Sequence, residues 1–358
     1  MYESLQSLSS VLDFSGEYRI IKNFVPAQSL NIHIEKGFKI RTLDGFDLNQ
    51  NSYRRNDLSI VSHSTIYHLK NLHLLSKRWS GLISIAAFAV SFEELPLLIE
   101  SILLLRFCNK RIRRQTSFHV VYPLNITSFG NLPDEQSILM LVKSAIIDQH
   151  QWTSRTACSN IDSTSFLSTK RNYDHKAPYP NNLLRNIAKR YSFTQYNLVI
   201  DIDLVPSFNL YEHFLNFLKR TNHFENSSSH NSSGQKSKVV YVLPTYEIDL
   251  KHASTVQQED EIIPKTKHEL QNAIKRKIIR PFYIELCWKC QKYTDYEAWL
   301  QVAVVNNSSN DLNRIDVLYD VLWHDPWEPF YIGSKEVPFY DERFRQYGFN
   351  RISQVCFL

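Results

Sequence analysis

The sequence predicts an α/β fold in which a mixed, mainly parallel central sheet is flanked by helices. Two observations predict it. From Asp57 onward, apolar runs of strand length alternate with patterns of helical period, as repeated β-α-β units require. The 358 residues, 43% apolar and 13% aromatic, also suffice for one large domain or two small ones with a real core.

Residues 1–56 carry no sustained period and include polar stretches such as Asp47 to Arg55. They are expected to form a stem-like or irregular N-terminal extension, leaving 57–358 as the ordered domain. That domain opens with the apolar run Leu58 to Val61, followed by a helical pattern at Ile66, Leu69, Leu72, Leu75 and Trp79 and a second strand run, Leu82 to Val90. A helix from Glu93 to Phe107, a strand from Phe118 to Tyr122, a helix from Leu183 to Tyr191 and a strand from Tyr196 to Ile200 continue the alternation. Val239 to Pro244 is a further strand candidate. It lies between two polar stretches, Asn226 to Gln235 and His252 to Pro264, that are expected to be surface insertions. In such folds ligands bind beyond the carboxyl ends of the strands.

Composition narrows the function classes. The net charge of +5 is spread out apart from Lys110 to Arg114, which reads as a solvated face, so no nucleic-acid partner is expected. No window approaches the ~18 to 20 apolar residues that span a bilayer, and Met1 to Leu5 do not open like a signal peptide. Eight glycines form no phosphate-cradling loop, which disfavours kinases, P-loop enzymes and Rossmann dehydrogenases. Five cysteines are too few for a disulfide scaffold. Cys287 and Cys290 have zinc or redox spacing but lack a second ligand pair, leaving a local disulfide or buried thiols.

The chemistry concentrates at Asp201-Ile-Asp203, directly after the apolar strand Leu198 to Ile200. In an extended chain, residues two apart point the same way, so the two carboxylates are expected to converge where the strand leaves the sheet. Hard oxygen donors there suit Mg2+ or Mn2+, which take one or two carboxylates plus phosphate oxygens; the alternative is a pair of acids capping the next helix. Upstream, Asn182 and Arg185 lie three apart on one helical face, where the arginine is able to meet phosphate or an aspartate. The same pair also reads as a capping asparagine and a surface arginine. Trp323 to Tyr331 sets aromatics around His324, Asp325 and Glu328, a composition suited equally to sugar recognition and to an aromatic core with rim charges.

Taken together and in order, several segments resemble glycosyltransferase family 49. They are Asp57 to Thr65, Leu75 to Ser84, Tyr179 to Asn186, Asp201 to Ser207, Val242 to Glu247, Thr294 to Trp299, Glu328 to Tyr331, and Tyr340 to Phe344 with Tyr347 to Asn350. The resemblance covers about residues 57–355. It implies a GT-A-type nucleotide-sugar-binding fold, a Mn2+ cofactor (or Mg2+) and a UDP-sugar donor. The implied reaction is inverting transfer of glucuronic acid to a glycan acceptor, such as a xylose-containing glycan of a glycoprotein. It further implies a lumenal Golgi enzyme, a type II membrane protein whose N-terminal anchor lies outside this chain. A homodimer or a partner glycosyltransferase is compatible with it.

By the same resemblance Asp201 and Asp203 become metal and diphosphate ligands, and Asn182 and Arg185 line the nucleotide side. The general base is not assigned by it, and the candidates are Asp341, Glu342 and Glu328. Family members continue past the position of Leu358 into a segment with a histidine ligand, so the domain is expected to be truncated at its C-terminus. The other reading is a catalytically inactive, family-derived chain that binds sugar or a partner.

Overall fold

The computed structural model describes residues 12–15, 18–25, 54–91, 93–123, 140, 158, 178–221, 239–248, 260–302, 314–346, 348 and 350–356. Its strands are β1 (Leu12–Ser15), β2 (Tyr18–Val25), β3 (Arg54–Thr65), β4 (Leu82–Phe88), β5 (Thr116–Pro123), β6 (Thr194–Val199), β7 (Val240–Leu243), β8 (Tyr246–Ile248), β9 (Ile279–Pro281) and β10 (Phe330–Ser334). Its helices are α1 (Asn71–Arg78), α2 (Leu95–Cys108), α3 (Lys110–Gln115), α4 (Asn181–Arg190), α5 (Leu210–Arg220), α6 (Lys267–Lys275), α7 (Trp288–Gln291), α8 (Tyr296–Gln301) and α9 (Ile352–Val355).

The main sheet runs β1-β2-β5-β4-β3-β6-β10-β7, and β8 pairs with β9 apart from it. Its centre, β5-β4-β3-β6, is parallel, while β2 and β10 run antiparallel to their inner neighbours. The expected mixed, mainly parallel sheet flanked by helices is the observed one.

Both faces of the centre are covered, which is why its strands read as near-continuous apolar runs. Leu58 and Ile60 of β3, Ile83 and Ile85 of β4 and Leu198 of β6 face one core, closed by α1, α2 and α5. Val61, Ala86, Phe88 and Val199 face the other side, where α4 lays down Leu183, Leu184 and Ile187. Residues of opposite parity thus serve opposite layers, as the pleat requires.

Two expectations differ from the structure. The segment read as an irregular extension contributes the β1–β2 hairpin, with β2 joined to β5 and a register shift between Ile21 and Val25. Charged residues at Arg19 and Lys22 and that shift dilute the period-2 signal there. The stretch ending at Pro264, read as a surface insertion, includes a buried Asp260 paired with Arg78 Nε at 2.8 Å and with Lys77. The basic cluster at 110–114, read as a solvated face, forms α3, which buries Ile112 and leaves Lys110, Arg111 and Arg114 exposed. The polar stretch Asn226 to Gln235 lies outside the described residues.

Beyond β3 the strand order reverses. β4 lies on one side of β3 and β6 on the other, so their connections leave in opposite directions and open a crevice at the carboxyl ends of β3 and β6. The chemistry gathers at that crevice.

Candidate active site

β6 ends at Val199, and the backbone leaves it through Ile200, whose N–H donates to Val61 O on β3 at 3.1 Å. Asp201 and Asp203 then occupy the first and third positions of a tight turn closed by Leu204 N–H to Asp201 O at 3.0 Å. The two acids converge by this turn and not along an extended strand, which corrects the expected geometry. Ile202, between them, points into the core.

Asp201 is the hub. Its Oδ1 lies 3.0 Å from Arg185 Nη2, 3.0 Å from Arg351 Nη2 and 3.4 Å from His63 Nε2. Among the described residues, every ion pair of Asp201 falls on that one oxygen. Burial opposes ionisation, but Arg351, Arg185 and His63 outweigh it and hold the carboxyl well below the usual carboxylate range. Asp203, by contrast, is exposed. Crowding by protein and then the Asp201 charge push its carboxyl up to about 6.

Each partner of Asp201 is set by a different element. His63, near the end of β3, has its Nδ1 within 2.7 Å of the Tyr179 hydroxyl, which turns Nε2 toward Asp201. Burial lowers its basicity. Arg185 comes from α4, where Asn182 Oδ1 accepts from its Nη1 at 3.0 Å. Arg351 precedes α9, stacks on the Phe330 ring at 4.4 Å and donates to Val199 O at 3.4 Å. Neither His63 nor Arg351 was singled out by sequence reasoning. His63 lies just after an apolar strand run, within the resemblance segment Asp57 to Thr65, and Arg351 directly follows another, Tyr347 to Asn350, but neither carries a signal of its own.

Asn182 is wholly buried and spent on the scaffold. Its amide donates to Asp341 O at 2.8 Å and Asn350 O at 3.0 Å, while Asn181 and Asn186 on the same helix donate to Gln346 O and Tyr340 O. Asparagine suits this task because one side chain both donates and accepts. α4 thereby laces the 340–350 segment to the site and fixes where Arg351 begins α9.

The three base candidates fall in different places. Because β10 runs antiparallel to β6, the chain enters it at the carboxyl end of β6, and Glu328 stands just before that entry. Burial pushes the Glu328 carboxyl up while Arg351 and Arg185 pull it down, and Asp201 adds to the rise, so it shares the field of the hub. Asp341 is engaged by Arg343, which donates to both its oxygens at 2.6–3.0 Å and holds its carboxyl low. Glu342 accepts from Asn186 Nδ2 at 2.8 Å.

Among the described residues no three histidine, cysteine or acidic side chains group as a metal site. The turn nevertheless fits a hard divalent cation. It presents two carboxylates whose charges oppose each other, and one or two such ligands, completed by phosphate oxygens and water, is the usual Mg2+ or Mn2+ arrangement.

A sequence profile described as glycosyl-transferase for dystroglycan, that of glycosyltransferase family 49, matches residues 57–358. This chain belongs to glycosyltransferase family 49. Its similarity to the family's proteins extends further still: it is 33% identical to β-1,4-glucuronyltransferase 1 of Danio rerio over 98% of this chain and 70% of that protein. The Homo sapiens protein of that name is 32% identical over 97% of this chain and 68% of its own length. A xylosyl- and glucuronyltransferase, LARGE2s of Gallus gallus, matches 53% of this chain at 27% identity and 22% of its own length. The family match makes the chain a glycosyltransferase, and the layered sheet with its crevice beyond β3 and β6 is consistent with a GT-A-like fold.

Proposed function

We propose that this chain transfers glucuronic acid from UDP-glucuronate to a hydroxyl of a glycan acceptor, a xylose-containing glycan of a glycoprotein being the expected kind, with inversion at the anomeric carbon. The observation that carries the proposal is the Asp201–Asp203 turn at the strand-order reversal, backed by two buried arginines, in a chain related to β-1,4-glucuronyltransferase 1. Asp201 and Asp203 would hold Mn2+ or Mg2+ together with the donor diphosphate. When bound, such a cation neutralises charge on the leaving diphosphate.

The remaining chemistry belongs to side chains. Arg185, Arg351 and His63 fix Asp201 in one orientation and keep it ionised, so its carboxylate needs no rearrangement when donor arrives. Glu328 accepts the proton of the acceptor hydroxyl as the new bond from that oxygen to the anomeric carbon forms and the bond to the diphosphate breaks. UDP departs with the electron pair. Burial favours Glu328 in this task, because a base with a raised pKa takes a proton more readily near neutral pH.

Two disulfides, Cys108–Cys158 and Cys287–Cys290, support a lumenal setting, since such bonds persist in oxidising compartments. No helix among the described residues is long and apolar enough to cross a membrane, so a type II Golgi protein would be anchored from outside them. The test is transfer to a xylose-terminated acceptor from UDP-glucuronate, UDP-glucose and UDP-xylose, with Mn2+ and with chelator. Transfer from UDP-glucuronate alone, abolished by chelator, is expected; equal use of the three donors would sink the donor assignment.

A further inference from the structure

We propose that the Cys287–Cys290 disulfide and Gln291 act as a positioning clamp for Glu328, resting on the reading of Glu328 as the base. α7 has four residues, too short to persist by itself, since helix nucleation alone costs more than one turn returns. The disulfide joins its N-capping residue, Cys287, to its third residue, Cys290. The bond ties the two positions directly across the turn, so the turn cannot open out fully while it is intact.

What the fixed turn holds is the backbone around Glu328. Glu328 N–H donates to Cys290 O at 2.8 Å, and Gln291 Nε2 donates to Glu328 O at 3.0 Å. One residue earlier, Trp327 Nε1 donates to Thr294 Oγ1 at 3.1 Å, and Thr294 N–H is tied back to Gln291 O at 3.0 Å. Gln291 is buried, and its Oε1 faces the Tyr296 hydroxyl at 3.4 Å, which sets the amide so that its N–H points at Glu328. Both peptide groups of Glu328 are therefore held by consecutive residues of one disulfide-closed turn.

The side chain stays outside this grip. It lies in the field of Arg351, Arg185 and Asp201, so the clamp sets where the carboxylate stands without consuming it. Neither Gln291 nor the disulfide is assigned any contact with donor or acceptor. Their role is to keep a proton acceptor within reach of a hydroxyl, where a displacement of about 1 Å is enough to cost on the order of a hundredfold in rate.

The experiment compares Gln291→Met, the double variant Cys287→Ser with Cys290→Ser, Glu328→Gln and, as a control, Cys356→Ser at the exposed free cysteine. For each, kcat, the KM for UDP-glucuronate and the thermal midpoint are measured on folded protein. The clamp predicts kcat lowered by about tenfold to a hundredfold in the first two, with donor KM unchanged and Cys356→Ser matching wild type. Wild-type kcat in Gln291→Met while Glu328→Gln is inactive overturns the clamp and leaves the base intact. Full activity of Glu328→Gln overturns the base reading, and the clamp with it. If the double variant does not fold, Gln291→Met decides, because it keeps the disulfide and removes one donor.

Discussion

Arg351 Nη2 lies 3.0 Å from Asp201 Oδ1, bringing the residue that caps α9 against the turn that ends β6. The pair is unevenly buried, with the arginine side chain 9% and the aspartate side chain 36% exposed. Breaking a fully buried pair costs ~3–5 kcal/mol, but water reaching Asp201 screens this one, so Arg351→Ala is expected to destabilise by about 1–3 kcal/mol. Arg351→Lys should recover part of the stability and little of the activity, because a lysine cannot both stack on Phe330 and reach Asp201 and Val199 O. Urea unfolding with parallel transfer assays checks this; an Arg351→Ala protein of unchanged stability would contradict it.

Under the proposed function, replacing Asp203 is expected to separate function from stability. Its carboxyl is pushed up to about 6 by crowding and by Asp201, so Asp203→Asn removes a repulsion and should leave the unfolding midpoint unchanged or slightly raised. Transfer and Mn2+-dependent UDP binding should instead fall by on the order of a thousandfold, the scale of losing a metal's stabilisation of a leaving group. Calorimetric titration with UDP and Mn2+ reads the second effect. Retained micromolar binding would remove Asp203 from the ligand set.

Gly81 has no room for a side chain. A Cβ there would stand 2.5 and 2.6 Å from two ring carbons of Tyr211 and 2.9 Å from Leu58 O. The ring cannot step aside freely, because its hydroxyl donates to Asp57 Oδ1 at 2.7 Å and its edge packs on Trp79 at 5.3 Å. Gly81→Ala is expected to cost about 1–3 kcal/mol, read as a lowered denaturant midpoint with an unchanged slope. A shift under about 0.5 kcal/mol would show that the ring yields.

His119 makes stability depend on pH. It is fully buried beside Ser84 and Tyr191, and burial lowers its pKa from 6.5 to about 3. Between those values the unfolded chain binds the proton and the folded chain does not. Its contribution is therefore complete above about pH 6.5 and is lost as pH falls toward 3, by at most about 1.4 kcal/mol per pH unit. Subtracting the unfolding free energy of His119→Gln from that of wild type between pH 7.5 and 5 isolates the effect. A pH-independent difference would show that the imidazole takes up its proton as readily in the fold as in the unfolded chain.

The sequence made the parallel centre of the sheet readable because Leu58 to Val61, Leu82 to Phe88 and Leu198 to Val199 are buried on both faces and carry almost no polar interruption. The Asp201–Asp203 pair was readable for the same reason, standing where such a run stops. The β1–β2 hairpin was not, since an edge mixes charge with apolar residues. Nor was β10 visible among its aromatics. Arg351 meets Asp201, and Glu328 enters the same field, through strand pairing of β10 with β6 and through the asparagines of α4, relations between distant segments that no local period records.

That long-range assembly orders events during synthesis. His63, Arg185 and Asp201 emerge from the ribosome well before Arg351, and the asparagines of α4 wait with unfilled amides until the 340–350 segment arrives. Contacts of such sequence separation form late in folding. A nascent chain is therefore expected to complete its sheet centre while still without the second guanidinium, becoming competent only when α9 closes onto it.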